Sequence, residues 1–225
     1  QRQMCIRDSF RGAGRPGAAG VTREPFTVGR DVRLRFVTPD TTSVWGATMG
    51  SLDDQNGDGA RDIVVGDWRE GSNEGRIHII DGDTVGTAGI ATTTTAGVVI
   101  SELRRTDVNA QLGVAILNNA DASDADVDGD GREDLVVAAR VGTSTQAALH
   151  IWFGPIPAGL QSPTAPNLVI PGPASFMAVP PSNNSPGISG AWADVNNDGL
   201  EDICWGDWTS NGLDGGLQVL WDDGN

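Results

Sequence analysis

Asp126-Val127-Asp128-Gly129-Asp130-Gly131-Arg132-Glu133-Asp134 runs directly into Leu135-Val136-Val137, and the same arrangement occurs twice more in the chain. The other copies are Asp54-Gln55-Asn56-Gly57-Asp58-Gly59-Ala60-Arg61-Asp62 before Ile63-Val64-Val65, and Asp194-Val195-Asn196-Asn197-Asp198-Gly199-Leu200-Glu201-Asp202 before Ile203-Cys204-Trp205. Side-chain oxygens at positions 1, 3, 5 and 9, with glycine at 6 for a sharp turn, suit a hard cation that takes six to eight oxygens, which points to Ca2+. Asp, Asn and Gly are also ordinary turn residues, but three turns in one register are hard to explain by turn preference alone. The expected ligands are Asp54, Asn56, Asp58 and Asp62; Asp126, Asp128, Asp130 and Asp134; and Asp194, Asn196, Asp198 and Asp202. The position-7 carbonyls of Ala60, Arg132 and Leu200, with water, would complete each shell. Loop two has four carboxylates among these positions against three in each of the others, so the tightest binding is expected there.

The residues after each loop exclude a helix-loop-helix calcium site. That motif requires a bidentate Glu at position 12, and position 12 here is Val65, Val137 or Trp205. The apolar triplets, closed by Gly66, Ala138 and Gly206, read as buried strands. Each loop therefore lies between strands.

The periodicity continues beyond the loops. Asp54 to Asp126 is 72 residues and Asp126 to Asp194 is 68, and those offsets carry His78 onto His150 and then Gln218, each inside an apolar segment. They also carry Gly66-Asp67-Trp68 onto Ala138-Ala139-Arg140 and then Gly206-Asp207-Trp208. A unit of this size holds several strands, and its recurrence is the signature of a repeat architecture.

The loops, with Val44-Trp45-Gly46-Ala47, Leu112-Gly113-Val114-Ala115, Gly187-Ile188-Ser189-Gly190 and Ile151-Trp152-Phe153-Gly154-Pro155, resemble the FG-GAP repeats of integrin alpha chains and of bacterial extracellular proteins, and their VCBS relatives. The Phe-Gly pair that opens the family's blade is missing at the first three of these segments, and Gly-Asp-Trp stands where the family has Gly-Ala-Pro. The resemblance covers about residues 40 to 225 and implies an all-β fold, a β-propeller of four-stranded antiparallel blades, seven in the integrin case. It implies about three blades here, in units of about 40–105, 106–180 and 181–225, and Asp31–Val37 alternates like the outer strand of a fourth. Three blades do not close a ring, so a fragment of a longer protein is the simplest expectation, with completion by partner copies as the other. Residues 1–20 lack the apolar core of a signal peptide and are expected to be non-native or disordered, with the propeller segment occupying 21–225.

Composition bounds the function. The net charge is -15, every basic residue is Arg, and three Ca2+ ions would bring the charge to -9. No basic stripe exists for nucleic acid. No apolar run reaches the ~18–20 residues of a membrane span. Cys5 and Cys204 give no disulfide framework. There is no G-x-S-x-G and no H-E-x-x-H, and His78 and His150 share one repeat position, so catalysis within this segment is not expected.

The segments Thr84–Thr95 and Pro155–Pro186 read either as binding loops or as tolerated insertions, as do four extra residues around Asn118–Ser123. Trp45, Trp68, Trp192 and Trp208 suit packing between blades, with exposed stacking surfaces as the alternative. The resemblance implies an extracellular, calcium-ordered module for adhesion, taking a protein or carbohydrate ligand at the cell surface. The alternatives are a non-catalytic scaffold attached to a secreted hydrolase or lyase, and a structural surface-layer component.

Overall fold

Short β-branched runs punctuated by Gly, Asp and Asn favour strands joined by tight turns, and strands dominate the structure. The computed structural model describes residues 33–36, 42–84, 90–92, 96–118, 125–140, 146–161, 165–174, 188–207 and 215–222. In chain order the strands are β1 (Arg33–Arg35), β2 (Thr48–Leu52), β3 (Asp62–Asp67), β4 (Arg76–Ile80), β5 (Ile90–Thr92), β6 (Val99–Arg104), β7 (Ala115–Ile116), β8 (Leu135–Arg140), β9 (Ala147–Trp152), β10 (Gly159–Gln161), β11 (Leu168–Pro171), β12 (Ile188–Ala193), β13 (Asp202–Asp207) and β14 (Gly216–Leu220). The fold is all-β. A helical turn, Glu70–Asn73, is broken inside by Gly71 at φ 67°.

Three sheets account for most strands. The first has order β10-β6-β4-β3-β2, the second β11-β9-β8-β7, and the third β12-β13-β14. Each is an antiparallel meander in sequence order, apart from β10, which adds to β6 in parallel. The three aspartate-rich loops occupy one place in all three sheets, joining β2 to β3, β7 to β8 and β12 to β13.

The pairing register repeats with the sequence. Val65 faces His78, Val137 faces His150 and Trp205 faces Gln218, so the offsets of 72 and 68 hold in both strands of each hairpin. The first strands keep a different count. Thr48 pairs with Gly66 and Ala115 with Ala138, displacements of 67 and 72, so loop two is preceded by five extra residues rather than four.

Two further departures from the sequence reading are local. Of Asp31–Val37, Arg33–Arg35 form β1, which among the described residues pairs in parallel with β5, from within Thr84–Thr95, and not as the edge of an antiparallel blade. The third sheet has three strands among the described residues. Most of Asn118–Ser123, part of Pro155–Pro186, and Trp208 lie outside the described residues.

Side-chain alternation makes the second sheet two-faced. Leu135, Val137 and Ala139 cluster with Leu52, Val64, Ile77 and Ile79 of the first sheet. Val136, Ala138, Leu149 and Ile151 cluster with Ile188, Ile203 and Trp205 of the third. Both faces are covered, which is why β8 is apolar at every position from Leu135 to Ala139, as strands buried on both sides are. Each fully buried Leu, Ile or Val contributes about 1.5–3 kcal/mol. Close approach of the sheets requires a missing side chain on β12, where a Cβ on Gly190 would meet Leu117 Cδ2 at 2.7 Å and the Cys204 carbonyl at 3.0 Å.

Trp45, Trp68, Trp192, Trp205 and both histidines are packing elements. Trp68 and Trp205 are buried in the cluster between the second and third sheets, where Trp192 also packs. Trp45 stacks on Phe36 and donates from Nε1 to His78 Nδ1 at 3.2 Å. Arg105 Nη1 lies 3.3 Å from His150 Nδ1. Arginine can only donate, so both rings accept at Nδ1 and are neutral. Among the described residues neither histidine is hydrogen-bonded to a hydroxyl or thiol.

Burial, reinforced by Arg76 and Arg104, lowers the His78 pKa to about 3. The unfolded chain therefore binds a proton that the folded chain refuses between about pH 6.5 and 3, and stability is full above that window and falls as pH drops through it. At ~1.4 kcal/mol per pH unit, His78→Gln, which copies Gln218 of the third sheet, should lose about 2 kcal/mol less than the parent chain between about pH 7 and pH 5. Urea unfolding at the two pH values checks this; parallel losses in parent and variant would contradict it.

Candidate functional site

Each loop is built by its own side chains accepting backbone hydrogen bonds, the Asx-turn chemistry that lets Asp and Asn organise tight turns. At position 1, Asp54 accepts from the N–H groups of Gly57 (2.6 Å), Asp58 (3.1 Å) and Gly59 (2.6 Å). Asp126 accepts from Gly129 (2.8 Å), Asp130 (3.0 Å) and Gly131 (2.7 Å), and Asp194 from Asp198 and Gly199, both at 3.0 Å. The Gly59 N–H, joined by those of Gly57, Asp58 and Asn56, holds the Asp54 carboxyl below its ordinary pKa.

Positions 3 and 5 repeat the device one step on. Oδ1 of Asn56, Asp128 and Asn196 accepts from the position-5 N–H at 3.0, 3.2 and 2.8 Å. Oδ1 of Asp58, Asp130 and Asp198 accepts from the position-7 N–H of Ala60, Arg132 and Leu200 at 2.7, 2.8 and 2.9 Å. The chain doubles back at two residues, not one. Position 6 is Gly59, Gly131 or Gly199 at φ 85–93°, and position 4 is Gly57, Gly129 or Asn197 at φ 86°, 76° and 63°. A Cβ on any of these five glycines would meet nothing within 4 Å, so backbone conformation and not space selects glycine, with Asn the tolerated substitute.

Position 9 differs in kind. Asp62, Asp134 and Asp202 are buried at the start or doorstep of the second strand of each sheet. In each, Oδ2 accepts from the position-2 N–H: Gln55 at 2.8 Å, Val127 at 2.7 Å and Val195 at 3.0 Å. Oδ1 accepts from the second residue past the third strand: Gly82 at 3.1 Å, Gly154 at 2.9 Å and Asp222 at 2.9 Å. One carboxylate thus ties the loop to the end of the next hairpin. Burial nevertheless raises the Asp62 pKa and pushes Asp134 up to about 6.

The ligand geometry separates these positions. Ligand oxygens of Asp126, Asp128 and Asp130 all lie within 4.8 Å of one another, and Asp134 is not in that group. Loops one and three carry Asn at position 3, which leaves two carboxylates among positions 1, 3 and 5. Among the described residues none of these carboxylates pairs with an arginine. Donor chemistry fits a hard divalent cation: oxygens only, clustered, with uncompensated negative charge.

Three features were missed in the sequence. Arg61 and Glu133, both at position 8 of their loops, form a bidentate pair at 2.7 and 2.8 Å that ties loop one to loop two. Burial raises the Glu133 pKa while the Arg61 hydrogen bond opposes it. Position 8 of loop three is Glu201, so a second such pair between loops two and three would set two acidic residues together. Gln55 accepts from the Ile156 N–H at 2.8 Å and so joins loop one to the turn after β9. Asn118 is buried and continues the β7–β8 ladder with its amide, donating to the Asp134 carbonyl at 2.7 Å and accepting from Val136 N–H at 2.9 Å. Opposite charges at position 8 of successive loops were the readable signal for the first; Asn118 offered none.

No protein-family model matches the chain, and no curated protein matches it. Among the described residues no helix is long and apolar enough to cross a membrane.

Asp202→Ala would leave the Val195 and Asp222 N–H groups without their acceptor, at about 1–3 kcal/mol for each donor left unsatisfied. A loss of about 2–4 kcal/mol in urea unfolding is expected with chelator present, so that metal plays no part. A loss below about 0.5 kcal/mol, the level of an ordinary surface substitution, would contradict the tie.

Proposed function

We propose that the chain is a segment of an extracellular, calcium-binding β-propeller of the FG-GAP type, with about three blades, serving adhesion through a protein or carbohydrate ligand at the cell surface. The observation that carries the reading is the loop that recurs three times with the same acceptor pattern, at the same place in three successive sheets, and with three carboxylates converging in loop two. Stacking supports the propeller. The sheets pack face to face, and β7 lies against both β2 and β12, as the first strands of a radial array would near its axis.

Asp126, Asp128 and Asp130 would hold the ion in loop two, Asp54, Asn56 and Asp58 in loop one, and Asp194, Asn196 and Asp198 in loop three, with the position-7 carbonyls and water beside them. The position-9 aspartates Asp62, Asp134 and Asp202 keep spare acceptor capacity, since a carboxylate offers about four lone-pair sites and each uses two on backbone donors. A bound cation supplies charge that the clustered carboxylates lack, and it would favour the ionised form of Asp134, which burial disfavours. The role of the ion is structural: it stiffens the loop that sets the spacing of two strands. The adhesive role rests on the family resemblance.

Calorimetric titration of Ca2+ into the chelator-treated chain should give about three ions bound. Asp130→Ala should remove one of them, because it deletes the position-5 oxygen from the most acidic loop. Thermal stability should rise with Ca2+, by about 2.7 kcal/mol per site at a hundredfold excess over Kd. A folded chain that gives no binding heat and no thermal shift would refute the calcium reading.

A further inference from the structure

Loops one and three carry the same residues at positions 1, 3, 5 and 9, namely Asp, Asn, Asp and Asp. Their position-3 asparagines nevertheless differ in what the amide nitrogen does. An asparagine side chain has one oxygen that a cation can use and one NH2 group that needs an acceptor. The oxygen is placed alike in both loops, accepting the position-5 N–H at 3.0 Å on Asn56 and 2.8 Å on Asn196. Asn196 Nδ2 then donates to Asp198 Oδ2 at 2.7 Å, an oxygen of its own loop. Asn56 Nδ2 donates instead to Asp81 Oδ2 at 3.2 Å, beyond the loop. Both oxygens of Asp198 are thereby engaged, Oδ1 by the Leu200 N–H and Oδ2 by the amide. In Asp58 only Oδ1 takes a hydrogen bond among the described residues, from the Ala60 N–H.

Asp81 is itself firmly placed. It follows β4 directly and is 8% exposed, and Thr84 holds it, with the N–H donating to Oδ1 at 2.8 Å and the hydroxyl to Oδ2 at 2.9 Å. The next residue, Gly82, donates its N–H to the position-9 carboxylate of Asp62, so the chain at Asp81 is fastened to loop one at positions 3 and 9. The offsets of 72 and 68 carry Asp81 onto Phe153 and Trp221, whose side chains cannot accept the amide. Given the calcium reading proposed above, we infer that Asp81 is a positioning residue that sets the affinity of loop one: it takes up the Asn56 amide and leaves the second oxygen of Asp58 to the ion. Loops one and three, indistinguishable by the ligands of the nine-residue motif, therefore bind calcium unequally, loop one more tightly. Loss of an outer partner that orients a ligand costs about 10–100-fold in metal affinity.

Calorimetric titration of Ca2+ into the chelator-treated full chain carrying Asp130→Ala, so that loops one and three report, tests this. The expected result is two sites whose affinities differ about tenfold or more. Asp81→Asn keeps the size of the side chain, but its single oxygen cannot serve both the Thr84 N–H and the Asn56 amide, so the tighter site should weaken to match the other. In an Asn56→Asp background the same Asp81→Asn substitution should weaken nothing, because amide and carboxylate have then changed places and the hydrogen bond forms with donor and acceptor reversed. A purely structural role for Asp81 would give the same loss in both backgrounds, and that result would overturn the proposal. Two equal sites with Asp81 intact, or an isotherm indifferent to Asp81→Asn, would also overturn it and would leave the calcium reading standing. The comparison with Asp81 intact decides even where Asp81→Asn proves unstable in a thermal scan with chelator. A folded chain with no binding heat would refute the calcium reading and this proposal with it.

Discussion

Each of the three main sheets depends on one buried carboxylate. Asp62, Asp134 and Asp202 each take an N–H from the start of a loop and another from the chain just past the third strand, so the first and second hairpins of the sheet share a fastening point. The charge sits where water cannot solvate it, which costs stability; two charge-assisted hydrogen bonds offset much of that cost. For Asp134 the balance leaves the pKa at about 6. The remainder of each loop hangs from this point: positions 1, 3 and 5 fold the chain over its own amides, and their remaining acceptor capacity faces outward as a set of oxygens.

Stacking follows from the same repetition. A fixed register between second and third strands places alternate side chains on opposite faces at the same positions in every unit, so the sheets meet through equivalent residues. The second sheet, covered on both sides, contributes the continuous apolar run of β8 and the buried faces of β9. Arg61 and Glu133 add a polar tie between the first two loops, and Asn118 carries the β7–β8 ladder past the point where backbone pairing stops.

Much of this was legible because the decisive signals are periodic. The loops, their position between strands, the apolar triplets and the equivalence of His78, His150 and Gln218 all follow from offsets of 72 and 68, and the structure gives the same offsets in its pairing. What the sequence hid is local or non-periodic. Position 9 reads as one more metal oxygen, and sequence spacing does not show that the Asp134 carboxylate also accepts from the N–H groups of Val127 and Gly154. Position 4 escaped because two glycines and an asparagine share no side-chain chemistry, only tolerance of positive φ. The parallel pairings draw β10 and β5 from segments with loop composition, where three residues leave no alternation to read; β1 was legible as a strand, but its partner was not.

The central claim is that three equivalent fastenings hold three sheets. Native-state hydrogen exchange of the amides at Gly82, Gly154 and Asp222 tests it most directly, because all three lie outside strands and donate to the position-9 carboxylates. Protection comparable to that of neighbouring strand amides at all three, in chelator, is the predicted result. Exchange at the rate of open loops would contradict the account.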